Sequence, residues 1–205
     1  MKDFNLPKSC LVEKFVPKKT FIEKIPKGKE KFSNIEKITW LHKLSPSTLH
    51  IEKHGKIEEI HIFCLILKSK ELPTEAIKSI KKLIPYPMLF LLTYQEEFSY
   101  ATYSIENDNC FFSPWNKPIE FNFNETNLEK VYENMVKKFL SDEVQNSTLS
   151  LKLAIELEHK VQVLSKEIEA LKKKIAKEKQ FKKQLELSKL LKPKEEELRE
   201  IIGLT

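Results

Sequence analysis

The spacing of apolar residues changes along the chain, and each change predicts an element. From Pro7 to about Ile25 it predicts one or two short helices, broken at Pro17. Ile35–Leu44 begins at helical spacing and ends in the β-favouring run Ile38-Thr39-Trp40, which predicts a strand. Ser45-Pro46-Ser47 predicts a turn, because the residue before a proline avoids the helical region. Ile57–Leu67 is apolar almost throughout, as a central strand covered on both faces would be. Pro73–Ile84 places Ala76, Ile77, Ile80 and Ile84 at helical spacing behind a proline suited to a first turn. Met88–Tyr94 reads as a second buried strand, turned by Gln95-Glu96-Glu97 into a third over Phe98–Ile105. A strand, a helix and a strand between Ile57 and Tyr94 imply a parallel pair joined by a crossover. Cys110–Ser113 and Ile119–Phe123 are expected as short edge strands, and Thr126 to Glu129 as a capping box opening a helix with Leu128, Val131, Tyr132, Met135, Val136 and Phe139 on one face.

Beyond about residue 149 the pattern is of another kind. Leu157, Val161, Leu164, Ile168, Leu171 and Ile175 alternate spacings of four and three, which is a heptad seam. Glu178 and Lys182 would continue that register but are polar, so the seam is expected to shift toward Phe181 and Leu185. Pro193 is expected to kink or split the helix, leaving Lys194–Ile202 as a terminal piece. An unbroken helix from Leu149 to Lys192 would be roughly 65 Å long at about 1.5 Å per residue. It could not bury its stripe alone and needs a partner helix. The predicted class is α+β: a mixed β-sheet with flanking helices, followed by a long C-terminal coiled-coil-like helix. The expected domains are a globular part over 1–141 and a lysine-rich helical tail over 149–205.

Composition narrows the chemistry. Only 3 glycines occur in 205 residues, and Gly28, Gly55 and Gly203 are far apart. Dinucleotide fingerprints, Walker-type phosphate loops and G-x-S-x-G elbows need clustered glycines, so they are excluded and no cofactor is expected. Cys10, Cys64 and Cys110 are too widely spaced for a zinc knuckle and odd in number for a disulfide framework, which suits a reduced, cytoplasmic protein. The longest apolar runs, Ile62–Leu67 and Met88–Leu92, are too short to span a bilayer, so no membrane contact is expected. His50, His54 and His61 lie on a segment read as turn and strand, where their spacing gives no shared face, and no metal site is expected.

The formal charge is +6, from 36 basic and 30 acidic residues, and most of the excess falls after Leu149. Lys172, Lys173, Lys174, Lys177, Lys179, Lys182 and Lys183 form a run in which only Glu178 is acidic. Such a run can neutralise a phosphate backbone or simply solvate a helical surface. It has no interleaved aromatic residues for stacking single-stranded bases. The element order also matches the PD-(D/E)xK nuclease core, in which an acidic residue and a lysine, two apart on a strand before the helix, serve to hold a divalent ion and activate water. The strand in that place ends Cys64-Leu65-Ile66-Leu67-Lys68, so isoleucine stands where the carboxylate would be.

Four separated patches carry a wider resemblance: Ile38 to Pro46, Leu83 to Phe90, Ser113-Pro114-Trp115 and Glu178 to Glu186. Together they resemble a bacterial family catalogued as domain of unknown function 4391, over nearly the whole chain. The resemblance supplies no catalytic residues. It implies a setting beside a DNA-translocating helicase and a DNA methyltransferase, as in restriction or phage defence. It also implies glutamates in the strand at Ile60–Lys68, where this chain has Cys64 and Ile66. The expected function is a non-catalytic accessory or coupling subunit of a restriction or antiviral defence complex, with a helicase or methyltransferase as partner. Lys172, Lys173, Lys177, Lys179, Lys182 and Lys183 are the expected DNA contacts. The seam from Leu157 to Ile175 is the expected interface with a partner or a second copy. The alternative is a PD-(D/E)xK-like nuclease or a degenerate nuclease subunit, and a third option is a homodimeric structural protein.

Overall fold

The computed structural model describes residues 4–105, 109–145 and 148–203. Residues 146 and 147, just ahead of the predicted helical tail, lie outside the described residues. The chain divides into two compact units, Met1–Phe139 and Leu140–Thr205.

The first unit is built on a six-stranded mixed sheet whose spatial order follows the sequence: β1 (Leu11–Phe15), β2 (Ile35–Leu44), β3 (Ile60–Leu67), β4 (Met88–Tyr94), β5 (Glu97–Tyr103) and β6 (Cys110–Phe112). β3 and β4 run parallel, Phe63 beside Phe90, while every other neighbouring pair is antiparallel. The α+β class and the parallel pair are therefore as the pattern predicts. A single helix, α4 (Thr74–Leu83), makes the crossover and buries Ala76, Ile77 and Ile80. Those side chains join Phe63, Leu65, Phe90, Leu92 and Ala101 in one core, closed by Phe21 and Phe32. Phe21 and Phe32 belong to the corner formed by two single-turn helices, α1 (Lys19–Ile22) and α2 (Gly28–Lys31). Tyr100, adjacent to Ala101 on β5, projects from the opposite face by the two-residue period. There it meets Phe4, Phe98 and Phe121.

Several expectations are corrected. Leu11–Phe15 is a strand, not part of a helix, and it pairs with β2 through a register shift between Leu11 and Lys14. Glu13 within that shift has φ 47°, so a bulge interrupts this edge. The central strand starts at Ile60, which leaves Glu58 and Glu59 ahead of it. Ser45 turns the chain by capping another single turn, α3 (Pro46–Leu49), and its side chain accepts from the Thr48 amide at 3.2 Å. Ile119–Phe123 forms no strand; Phe121 and Phe123 instead pack with Phe4. The cap of α5 (Leu128–Lys137) is Asn127 rather than Thr126, with the Asn127 side chain accepting from the Lys130 amide at 3.1 Å. α5 buries the predicted face, and Tyr132 accepts from the Ile105 amide at 2.9 Å.

The second unit begins with α6 (Asp142–Gln145), followed by α7 (Leu151–Lys177) and α8 (Phe181–Gly203). Glu158, nearly fully buried on α7, accepts from the Ser141 backbone amide and hydroxyl at 2.9 and 2.7 Å, and from the Gln162 side-chain amide at 2.8 Å. The long helix expected over Leu149–Lys192 is thus two helices, broken at residues 178–180 and not at Pro193. α8 passes through Pro193 as helix. α8 returns antiparallel to α7, bringing Ile201 beside Leu157 and Leu164. The proline ring sits on an exposed position, where the carbonyl it leaves unpaired can reach water.

Candidate nucleic-acid interface

The reversal between α7 and α8 is made by three residues. Glu178 leaves the helix in an extended conformation, and its amide still bonds the Lys174 carbonyl at 3.0 Å. Its carboxylate accepts from the Gln180 amide at 2.9 Å, and its carbonyl accepts from the Gln184 side chain at 2.6 Å. The one acidic residue in the lysine run therefore serves as the hub of the turn.

This turn collects the lysines at one end of the hairpin. Lys172, Lys173, Lys174 and Lys177 lie on the last turns of α7, Lys179 lies in the link, and Lys182 and Lys183 lie on the first turn of α8. All seven are exposed. Lys172 pairs with Glu195 at 2.8 Å and Lys173 with Glu169 at 2.6 Å. Among the described residues, Lys174, Lys177, Lys179, Lys182 and Lys183 have no ion-pair partner. Lys174 and Lys177 complement the negative end of the α7 dipole. Lys182 and Lys183 do the reverse, sitting at the positive end of α8, where the first turn carries no acid. The helix dipole therefore does not account for them.

The seam residues lie on the same hairpin. Leu164 and Ile168 are buried, and Leu157, Val161, Leu171 and Ile175 are half-buried. Their partner stripe on α8 consists of the half-buried Leu187, Leu191, Leu198 and Ile201, spaced as one helical face. Phe181 and Leu185, expected to carry the shifted seam, are exposed instead, at 79% and 48%. The three-residue turn sets the rotation of α8 and so selects the other stripe. An Lys194–Glu167 pair also ties the two helices.

At the end of β3, the nuclease-like position is apolar. Cys64 pairs with Thr39 and Leu91, and Ile66 with Lys37 and Thr93. Burial raises the Cys64 thiol above its ordinary pKa, despite a Thr93 hydrogen bond and the nearby Lys37 charge, so it is a neutral thiol. A concavity of about 330 Å³ adjoins it, lined by Leu91, Thr93, Gln95, Glu96, Glu97 and Phe98. Of its two carboxylates, Glu97 is held by Lys70 at 2.7 Å and Asn116 at 2.9 Å. Among the described residues, no three His, Cys, Asp or Glu side chains are grouped to hold a metal ion.

The histidines separate. His50 and His54 are exposed, and His61 is buried between the rings of Trp40 and Tyr86, with centroids 4.8 and 5.1 Å away. Its Nε2 lies 2.9 Å from Glu59, whose other oxygen lies 2.6 Å from Lys43. Burial depresses the His61 pKa, outweighing the attraction of Glu59. Burial opposes ionisation of Glu59, but the Lys43 and His61 contacts outweigh it and lower its pKa. This chain of groups pins the entry of β3.

Residues 4–198 match the model of a protein family described as Domain of unknown function (DUF4391). No curated protein and no solved structure matches the chain.

Proposed function

The chain belongs to the DUF4391 family, and from that premise we infer that it is a non-catalytic accessory or coupling subunit of a bacterial DNA restriction or phage-defence complex. In this reading it docks a helicase or methyltransferase subunit and touches DNA through the turn of its helical hairpin. The observation that carries the reading is the cluster of five exposed lysines without ion-pair partners at the α7–α8 turn. Two of them stand where the helix dipole disfavours a cation. A phosphate backbone supplies the missing countercharge and releases its own condensed cations on binding. The apolar end of β3, with Cys64 and Ile66 in place of oxygen ligands, supports an accessory role over a nuclease role.

Affinity isolation of the tagged full chain from its native cells, washed at low and at high salt, tests this reading. A helicase or methyltransferase retained at both salts, with DNA retained only at low salt, is the expected result. Isolation of the chain with neither partner nor DNA at low salt would overturn it.

A further inference from the structure

A second basic surface lies in the first unit, where the charged run Lys27–Lys31 reads in sequence as a linker but Gly28–Lys31 forms a helical turn. From Lys14 to Lys31 there are seven lysines against Glu23 and Glu30, and from Glu169 to Lys183 seven lysines against Glu169 and Glu178. Removing both stretches from the totals of 36 and 30 leaves 22 basic and 26 acidic residues. The rest of the chain is therefore net acidic, and these two short stretches account for the whole net excess of positive charge. Such partition is the electrostatic footprint of a polyanion ligand.

Within the first stretch the lysines divide by role. Lys18 donates to the Ile35 carbonyl at 2.6 Å, Lys19 pairs with Glu23 at 3.4 Å, and Lys31 approaches Glu75 at 3.9 Å. Lys24, Lys27 and Lys29, like Lys14 on β1, are exposed and have no ion-pair partner among the described residues. These three ride on the corner between α1 and α2, which is fixed from inside. Phe21 and Phe32 stack with centroids 5.7 Å apart, both buried in the core. Gly28 is buried against the Ile22 backbone so closely that a Cβ there would lie 2.4 Å from the Ile22 carbonyl oxygen. Closing the corner also holds Lys27 in the left-handed region at φ 55°, a conformation unfavourable for a side chain of that kind. Three cations are thus presented on a fixed backbone support, so the backbone of the corner needs no reordering to meet a ligand.

We propose that the Lys24–Lys29 corner is a second contact for the sugar-phosphate backbone of duplex DNA, separate from the hairpin turn. This inference rests on the DNA-contacting reading only for its choice of ligand. Lysine ammonium groups bind phosphates as point charges, and the two aromatic rings of the corner, Phe21 and Phe32, are buried in the core rather than offered to a base. Its contact is therefore independent of base sequence.

The test measures binding of the full chain to mixed-sequence duplexes by fluorescence anisotropy over a salt series. It compares wild type, a Lys24→Gln/Lys27→Gln/Lys29→Gln variant, and a variant with Lys174, Lys177, Lys179, Lys182 and Lys183 changed to Gln. At about 0.9 of logarithmic slope per phosphate contact, the corner variant should flatten the salt dependence by up to about 2.7 on every sequence alike. An unchanged slope and affinity in the corner variant would overturn the corner, while loss in the turn variant alone would leave the hairpin reading standing. Loss in the corner variant with an unchanged turn variant would keep the corner and overturn the hairpin reading. Absence of duplex binding by wild type would overturn both. Retention by vesicles of anionic phospholipid without duplex binding would assign the corner to lipid phosphates and overturn the proposal.

Discussion

Gln184 donates its side-chain amide to the backbone carbonyl of Glu178 across 2.6 Å, so the first turn of α8 is bound to the residue that ends α7. A glutamine four residues into the run Gln180 to Gln184 thereby does what a C-capping glycine does in many helical hairpins: it satisfies a carbonyl stranded at the helix end. Gln184→Ala should cost about 1 kcal/mol, the usual net worth of one such bond. Hydrogen exchange should rise at residues 179–183 and stay unchanged in the sheet. Equal protection in both proteins would show that the bond does not hold the turn.

Aspartate at Leu164 and Ile168 tests the seam. Both side chains are buried in the second unit, and an unpaired carboxylate there incurs a desolvation cost of several kcal/mol. The double variant should lose helical ellipticity equivalent to much of α8 while the sheet keeps its exchange protection. Light scattering on wild type and variant then shows whether copies also associate through this seam. Full retention of helicity would mean that the hairpin stands on its polar pairs alone.

Acid should destabilise the protein in two steps. The depressed His61 pKa means that the unfolded chain binds more protons below 6.5, so stability falls as pH drops through that window toward the folded value. Glu59 has a lowered pKa as well, so its contribution is present above 4.5 and is lost as pH falls through its folded value. Urea midpoints measured from neutral pH down to about pH 5 should decline for wild type and decline less for His61→Phe, which cannot take up a proton. Parallel curves for the two proteins would remove His61 from the account.

Purified protein with Mg²⁺ or Mn²⁺ should leave single- and double-stranded DNA intact. Glu58 and Glu59 precede β3, at the end opposite to Lys68, and Glu59 is already held by Lys43 and His61. Magnesium needs oxygen ligands, and neither Cys64 nor Ile66 supplies one. Metal-dependent cleavage that is lost on Lys68→Ala would replace the accessory reading with the nuclease.

Much of the candidate surface was legible as composition but not as a site. The lysine run, the seam and the polar gap at Glu178 are visible in one dimension. Their gathering at a turn is not, because a heptad seam fits a second chain or the same chain folded back equally well. The corner lysines carried no periodic signal. Their grouping depends on Gly28 closing against Ile22, a contact that spacing does not encode.

By itself, the sequence determined what depends on neighbours within a few residues. This covers the buried runs of β3 and β4, the amphipathic faces of α4 and α5, and the scarcity of glycine that removes the common nucleotide-binding loops. Tertiary structure decided what depends on distant partners. Leu11–Phe15 became a strand because β2 offered an edge, even though its own pattern did not alternate cleanly. Phe121 and Phe123 left the sheet for the aromatic cluster around Phe4. In the tail, two overlapping stripes on α8 competed for burial, and the three-residue turn buried that of Leu187, Leu191 and Leu198 while leaving Phe181 and Leu185 in water. Local periodicity says which faces are apolar. Only chain reversal and packing select which of them is covered, since burial energy accrues to whichever face meets another surface.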